Sequence, residues 1–294
     1  MRQMVLRRLE DNVRTFCSIR PSDDLAELIQ PALNSEKLIF VYDPYSEAYA
    51  EIASWPLIMF GLNVSVVSSH EALYYYAPYT KEGTSYIYFT DNLEGQLGVQ
   101  LESALRVMGY NRYILSWFDA KTDEVITFSS GSDGKSVLKG VKNLAYSFTK
   151  ALYKINSNQR LARVLNNLLV DQTELFEYIN RSTSYTESGV ANTVASQGPL
   201  LSVAKIVALL NPQINVIPLT RLLTNPSIEN VEVWGLDVDS ELIARIRFER
   251  GGLNHVVHFG LDPLSSTLVS VYAVTYAEIF GTKFQGNTFD NQQN

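Results

Sequence analysis

Apolar stretches of five or six residues alternate along this chain with longer segments of helical spacing, and glycine repeatedly closes the helical ones. KLIFVY from Lys37, NVSVVS from Asn63, SYIYF from Ser85 and RYILSW from Arg112 are rich in β-branched and aromatic residues, the composition of strands covered on both faces. After Tyr42 comes DPYSEAYAEIASWPLIMFG, a helical pattern with Gly61 as its stop and Pro56 as a kink. TDNLEGQLGVQLESALRVMG follows Phe89 and closes at Gly109. Strand, helix, glycine and strand in repetition predict right-handed βαβ crossovers and a parallel sheet, with EVITF from Glu124 as its last strand.

From Lys135 to about Arg181 the spacing is helical, as two helices, KSVLKGVKNLAYSFTKALYKI and QRLARVLNNLLVDQTELFEYINR. Alternation then resumes. STSYTES from Ser182 leads into a long helix expected from Val190 to Leu210, followed by NVIPL, VEVWGLD, the helix SELIARIRFERG, the strand NHVVHFG and the helix PLSSTLVSVYAVTYAEIFG. The fold class expected is α/β, with two tandem, open, mainly parallel-sheet domains of flavodoxin-like type. The segments are 1–35, an N-terminal helical stretch; 36–160, the first α/β domain; 161–282, the second; and 283–294, a polar tail expected to be disordered.

Composition removes several classes of function. With 24 basic and 31 acidic residues the net charge is −7, which argues against a nucleic-acid partner, since phosphate backbones are held by clustered Lys and Arg. The basic trio Arg2, Arg7 and Arg8 reads as a solvated helix face. A single cysteine, Cys17, excludes an intramolecular disulfide or a Cys-based zinc cage and fits a reducing compartment. No apolar run reaches the roughly 18 residues that span a bilayer, and the charged N-terminus is unlike a signal peptide, so a cytoplasmic location without membrane attachment is expected.

Ligands of open parallel sheets bind outside the carboxyl ends of the strands, which directs attention to the strand-to-helix turns. Asp43, Pro44, Tyr45 and Ser46 follow the first strand, Thr90, Asp91 and Asn92 the third, and SSGSDGK from Ser129 the last. Hydroxyls, amides and helix N-terminal N–H groups at such turns form an anion site without many basic side chains, which nominates Ser46, Thr90, Asn92, Ser129 and Ser130 as phosphate ligands. The plainer reading is that these side chains are helix caps. SSGSDGKS ends as a Walker A loop does, at Gly134, Lys135 and Ser136, but Ser129 stands where that motif needs its first glycine.

Strand order, turn chemistry and length resemble the sugar isomerase (SIS) superfamily, in particular its two-domain phosphoglucose/phosphomannose isomerase-like branch. SYIYFTDNLEGQ is similar to that family's Ser-Gly-Asn-Thr type turn, with Thr90 keeping the hydroxyl and Asn92 the amide, while Asp91 and Leu93 depart from it. The family's Gly-rich first turn is replaced by DPYSEAY, which keeps Ser46. TESGVANTVA and STLVSVYAVTYAEIFGTKF resemble the start of the second sheet and the closing helix. The resemblance implies a phosphorylated-sugar ligand, no cofactor, a homodimer, and aldose–ketose interconversion of a hexose 6-phosphate through a carboxylate base and a histidine. The family's Glu would fall near Leu200 and its His near PLTRLLTN, neither of which carries such a residue, so a non-catalytic sugar-phosphate sensor and a protein-contact relic of the fold stand as alternatives beside the isomerase.

A proton-transfer carboxylate, if present, is sought at Glu187, with Glu94 and Glu47 also at strand-to-helix turns, although Glu at helix starts commonly serves the helix dipole. His70, His255 and His258 are scattered and make no metal site. Tyr74, Tyr75 and Tyr76 are consecutive, a run that can stack on sugars, line an interface between copies, or pack the end of a helix.

Overall fold

The computed structural model describes residues 2–91, 95–118, 125–183, 191–225, 227–253 and 255–289. Helix α1 (Arg2–Ser18) opens the chain, and contacts divide the molecule into two compact units, residues 19–168 and residues 1–18 with 169–294. The boundary thus falls after Leu168, and α1 joins the later unit. Leu9 and Val13 on α1 are fully buried, and Asn12 Nδ2 donates to Thr275 Oγ1 at 3.1 Å. Such partners lie more than 260 positions away, beyond any local pattern.

The unit 19–168 begins with α2 (Asp23–Ile29) and is built on β1 (Lys37–Tyr42), α3 (Glu47–Met59), β2 (Val64–Ser68) and a short α4 (Ser69–Glu71). It continues through β3 (Thr84–Thr90), α5 (Gln96–Val107), β4 (Asn111–Ser116), β5 (Val125–Thr127), α6 (Gly134–Ile155) and α7 (Gln159–Leu168). All strand pairs are parallel, in the order β2-β1-β3-β4-β5. The central strands are apolar on both faces because helices cover both. Ile39, Val41, Tyr86 and Tyr88 pack with Leu101 and Leu105 of α5, whereas Phe40 and Phe89 face Phe148 of α6. Gly61 and Gly109 end α3 and α5 at φ +83° and +73°, a conformation that glycine adopts without strain.

The second unit holds α8 (Gln172–Ser182), β6 (Thr193–Ser196), α9 (Gly198–Leu210), β7 (Asn215–Pro218) and α10 (Thr220–Thr224). β8 (Val231–Leu236), α11 (Ser240–Glu249), β9 (His255–Phe259) and α12 (Ser270–Phe289) complete it. Its strands are also parallel, in the order β7-β6-β8-β9. The α/β class with two parallel sheets is therefore as expected.

Two element expectations are corrected. The long helix from Val190 to Leu210 is instead β6 followed by α9, because Thr193 and Val194 pair on two sides and Pro199 opens the helix after Gly198 at φ +56°. The second interdomain helix is two, because Asp171 caps α8 by accepting from Thr173 N and interrupts the run after Leu168. Residues 290–294 of the expected disordered tail lie outside the described residues, while 283–289 continue α12. Cys17 is half-buried. Among the described residues no helix is long and apolar enough to cross a membrane.

Candidate functional site

In the first sheet β1 crosses over to β2 on one side while β3 lies on its other side, so the topological switch point, where ligands of open parallel sheets bind, lies between the carboxyl ends of β1 and β3. Asp43-Pro44-Tyr45-Ser46 leaves β1 as a turn, closed by Ser46 N donating to Asp43 O at 2.7 Å, with Pro44 in the position that favours its fixed φ. Ser46 then precedes α3, but its side chain makes no cap hydrogen bond. The residue is fully buried and its Oγ has no hydrogen-bond partner. A buried hydroxyl left unpaired costs about 1–3 kcal/mol.

Thr90 ends β3 on the face shared with Tyr88, two residues earlier. Both hydroxyls donate to the same oxygen, Asp43 Oδ2, Thr90 at 2.6 Å and Tyr88 at 2.8 Å. Burial, and then the neighbouring Asp43 carboxylate, push the Tyr88 phenol well above its ordinary range. The crevice thus contains an internal anion seated on two hydroxyls. α5 follows β3 and starts after Gly95, a residue without a side chain.

Ser129 and Ser130 stand at the β5–α6 turn of the same sheet edge. Ser129 Oγ donates to Ser136 O at 2.6 Å, Ser130 is exposed, and Asp133 caps α6 by accepting from Ser136 N at 2.9 Å. β5 lies two strands from β3, about 10 Å at ordinary strand spacing, so the structure brings Ser46 and Thr90 to one crevice and leaves Ser129 and Ser130 at another turn. Between them Tyr49 of α3 packs on Trp117 and Phe128, with ring centroids 5.5 and 5.1 Å away. Gly140 of α6 makes that packing possible: a Cβ there would come within 3.1 Å of Tyr49 and 3.2 Å of Ser129. Asn92, Glu94 and Glu187 lie outside the described residues. Among the described residues no group of three His, Cys, Asp or Glu is placed to hold a metal.

Sequence reasoning treated Asp43 as one polar turn residue and Tyr88 as strand core. The period of two along Tyr86, Tyr88 and Thr90 was the available signal for the shared face, but the acceptor lies 45 and 47 positions away.

In the second unit Glu232 of β8 is a part-buried carboxylate. Its Oε1 accepts from Trp234 Nε1 at 2.7 Å and from the Tyr272 hydroxyl at 2.8 Å. Burial raises its proton affinity above the ordinary carboxylate value, against the opposing pull of those donors and of His255. Glu232 pairs with Val194 and His255 near the amino ends of the strands, away from the edge where ligands bind, and its role is structural. Because the folded state favours the protonated form, its contribution is greatest below the ordinary carboxylate pKa and is lost as pH rises through the raised one. A Gln amide accepts the same two donors without charge. The stability of Glu232→Gln relative to the unsubstituted chain is therefore expected to rise between pH 4.5 and pH 7, read as the difference in thermal midpoint.

No family model and no curated protein matches the sequence. Solved structures do. The tagatose-6-phosphate ketose/aldose isomerase of Escherichia coli is 15% identical, with a TM-score of 0.61 over 95% of this chain and 91% of that one. Glucosamine-6-phosphate deaminase of Thermotoga maritima is 12% identical, with a TM-score of 0.65 over 95% and 94%. The C-terminal domain of glucosamine-fructose-6-phosphate aminotransferase of Francisella tularensis is 12% identical, with a TM-score of 0.59 over 94% of each chain. The fold is the one shared by such phosphosugar proteins, as the resemblance to the SIS superfamily implies.

Proposed function

We propose that this chain, which has the fold of the phosphosugar isomerases, binds a phosphorylated sugar at the crevice between β1 and β3 and does so without interconverting it. The observation that carries this reading is the Ser46 hydroxyl, fully buried and unpartnered at the first strand-to-helix turn. In this reading the Asp43–Ser46 turn moves to let a phosphate oxygen accept from that enclosed hydroxyl, and the start of α3, whose cap residue Ser46 makes no side-chain hydrogen bond, supplies backbone N–H groups for the others. Asp43 opposes this binding. Its carboxylate engages Thr90 and Tyr88, so the incoming anion meets one free hydroxyl and a like charge. The reading without interconversion follows from the positions near Leu200 and in PLTRLLTN, where the resemblance implies a Glu and a His and the chain carries neither.

A thermal-shift screen against hexose, amino-hexose and pentose phosphates, each beside its unphosphorylated sugar, tests the reading, since a ligand of the native state raises the midpoint by mass action. A shift that requires the phosphate, with no product in a coupled isomerase assay, is the expected result. Ser46→Ala should leave the unliganded midpoint unchanged or raise it, because an unpaired buried hydroxyl is removed. It should weaken the phosphorylated ligand about tenfold or more, the worth of one hydrogen bond to a charged group. A variant that loses stability yet keeps full affinity would place Ser46 in the structure alone.

A further inference from the structure

At the opposite edge of the first sheet, the amino ends of β1, β2 and β3 frame a cavity of about 440 Å³, a size in the range of small-ligand pockets. Lys37 opens β1, Asn63 precedes β2 and Thr84 opens β3, so this cavity is separated from the Asp43–Thr90 crevice by the length of the strands. One wall is aromatic, formed by Tyr75, Tyr76 and Tyr79. Tyr75 and Tyr79 are 66% and 81% exposed, large amphipathic rings left in water.

These rings stand on a fixed backbone. Residues Ala72–Tyr76 form a wide π-type turn, a feature concentrated at functional sites, and Ala77–Tyr79 continue it as a tight turn containing Pro78. The Tyr110 hydroxyl donates to Ala77 O at 3.2 Å and to Thr80 O at 2.6 Å, and the Thr80 hydroxyl is shared with Tyr86 at 2.8 Å while it donates to Tyr76 O. Lys37 Nζ sits 5.2 Å from the centre of the Tyr76 ring and fixes that ring in turn. Exposed rings on a backbone held this firmly lose little conformational freedom when something stacks on them.

The polar groups of the cavity carry both signs in equal number: Glu36 and Glu82 against Lys37 and Lys81. No net charge is offered to an anion or a cation. Asn63 adds a neutral amide that donates and accepts. Rings on one side with mixed donors and acceptors on the other match a sugar ring, whose C–H face is apolar and whose hydroxyls donate and accept alike.

We propose that this cavity is a second binding site, for an uncharged saccharide whose ring stacks on Tyr75 and Tyr79 and whose hydroxyls meet Glu36, Glu82, Lys37 and Asn63. It is independent of the phosphate-directed reading of the carboxyl edge. Saturation-transfer NMR of the full chain with maltose, lactose and sucrose at millimolar concentration tests it. Saturation of ring C–H protons is expected for at least one of the three, reduced severalfold in Tyr79→Ala and in Tyr75→Ala and unchanged in Phe248→Ala, an exposed ring of the second unit. Circular dichroism confirms that the tyrosine variants, altered only at exposed side chains, remain folded. Absence of saturation with all three sugars overturns the proposal, as does saturation that persists in the double variant. Sedimentation showing that the double variant dissociates a dimer, without any saccharide signal, would assign the rings to a second copy of the chain instead.

Discussion

Asp43→Asn is expected to tighten binding of the phosphorylated sugar at least tenfold, about 1.4 kcal/mol, while leaving the unphosphorylated sugar unaffected. The carboxylate and an incoming phosphate carry like charge within one crevice, and at a separation of about 4 Å such repulsion amounts to several kcal/mol near a protein surface. The Asn oxygen still accepts from Thr90 and Tyr88, which now donate to Asp43 Oδ2, so the fold is retained. Exchange of charge-assisted for neutral hydrogen bonds costs about 1 kcal/mol of stability. Titration calorimetry of both proteins under one salt condition reads the difference. Unchanged or weaker binding in Asp43→Asn would mean that the carboxylate grips a sugar hydroxyl and that the phosphate lies elsewhere.

Trp234→Ala should be the most destabilising single change in the second unit, by about 3–5 kcal/mol. Trp234 is fully buried in β8 and packs against Phe259, Tyr272 and Tyr276 with ring centroids 6.5, 5.1 and 5.6 Å away. Its removal leaves a cavity under α12 and takes the indole donor from Glu232. Trp234→Phe separates the two effects: it retains most of the volume and loses only the donor, with an expected cost of about 1–3 kcal/mol. Urea unfolding of both variants provides the comparison. A loss below about 1 kcal/mol in Trp234→Ala would show that the aromatic cluster contributes little to this core.

Strands of the first sheet were legible because KLIFVY and SYIYF are short, β-branched and aromatic, and the stops at Gly61 and Gly109 require the positive φ they adopt. The helix expected across Val190–Leu210 was misread because Val and Ala in NTVAS are tolerated by both states, and only pairing with β7 and β8 decides for a strand. The place of α1 rests on contacts with α12, which no local pattern encodes. At the candidate site, the position of Ser46 and Thr90 followed from turn chemistry alone. Whether each hydroxyl is free did not: Thr90 is committed to Asp43 and Ser46 is unpaired, a difference created by side-chain geometry between strands neighbouring in space. Ser129 shows the same limit, since its hydroxyl is used within its own turn.

The central claim, that the β1/β3 crevice receives a sugar phosphate, is tested most directly by calorimetric titration of the unsubstituted chain and of Asp43→Asn. Fructose 6-phosphate, glucosamine 6-phosphate and ribose 5-phosphate serve as ligands, with the free sugars as controls. One-to-one binding that depends on the phosphate and is tighter in Asp43→Asn is the predicted result; no phosphate-dependent heat in either protein with any of the three would contradict it.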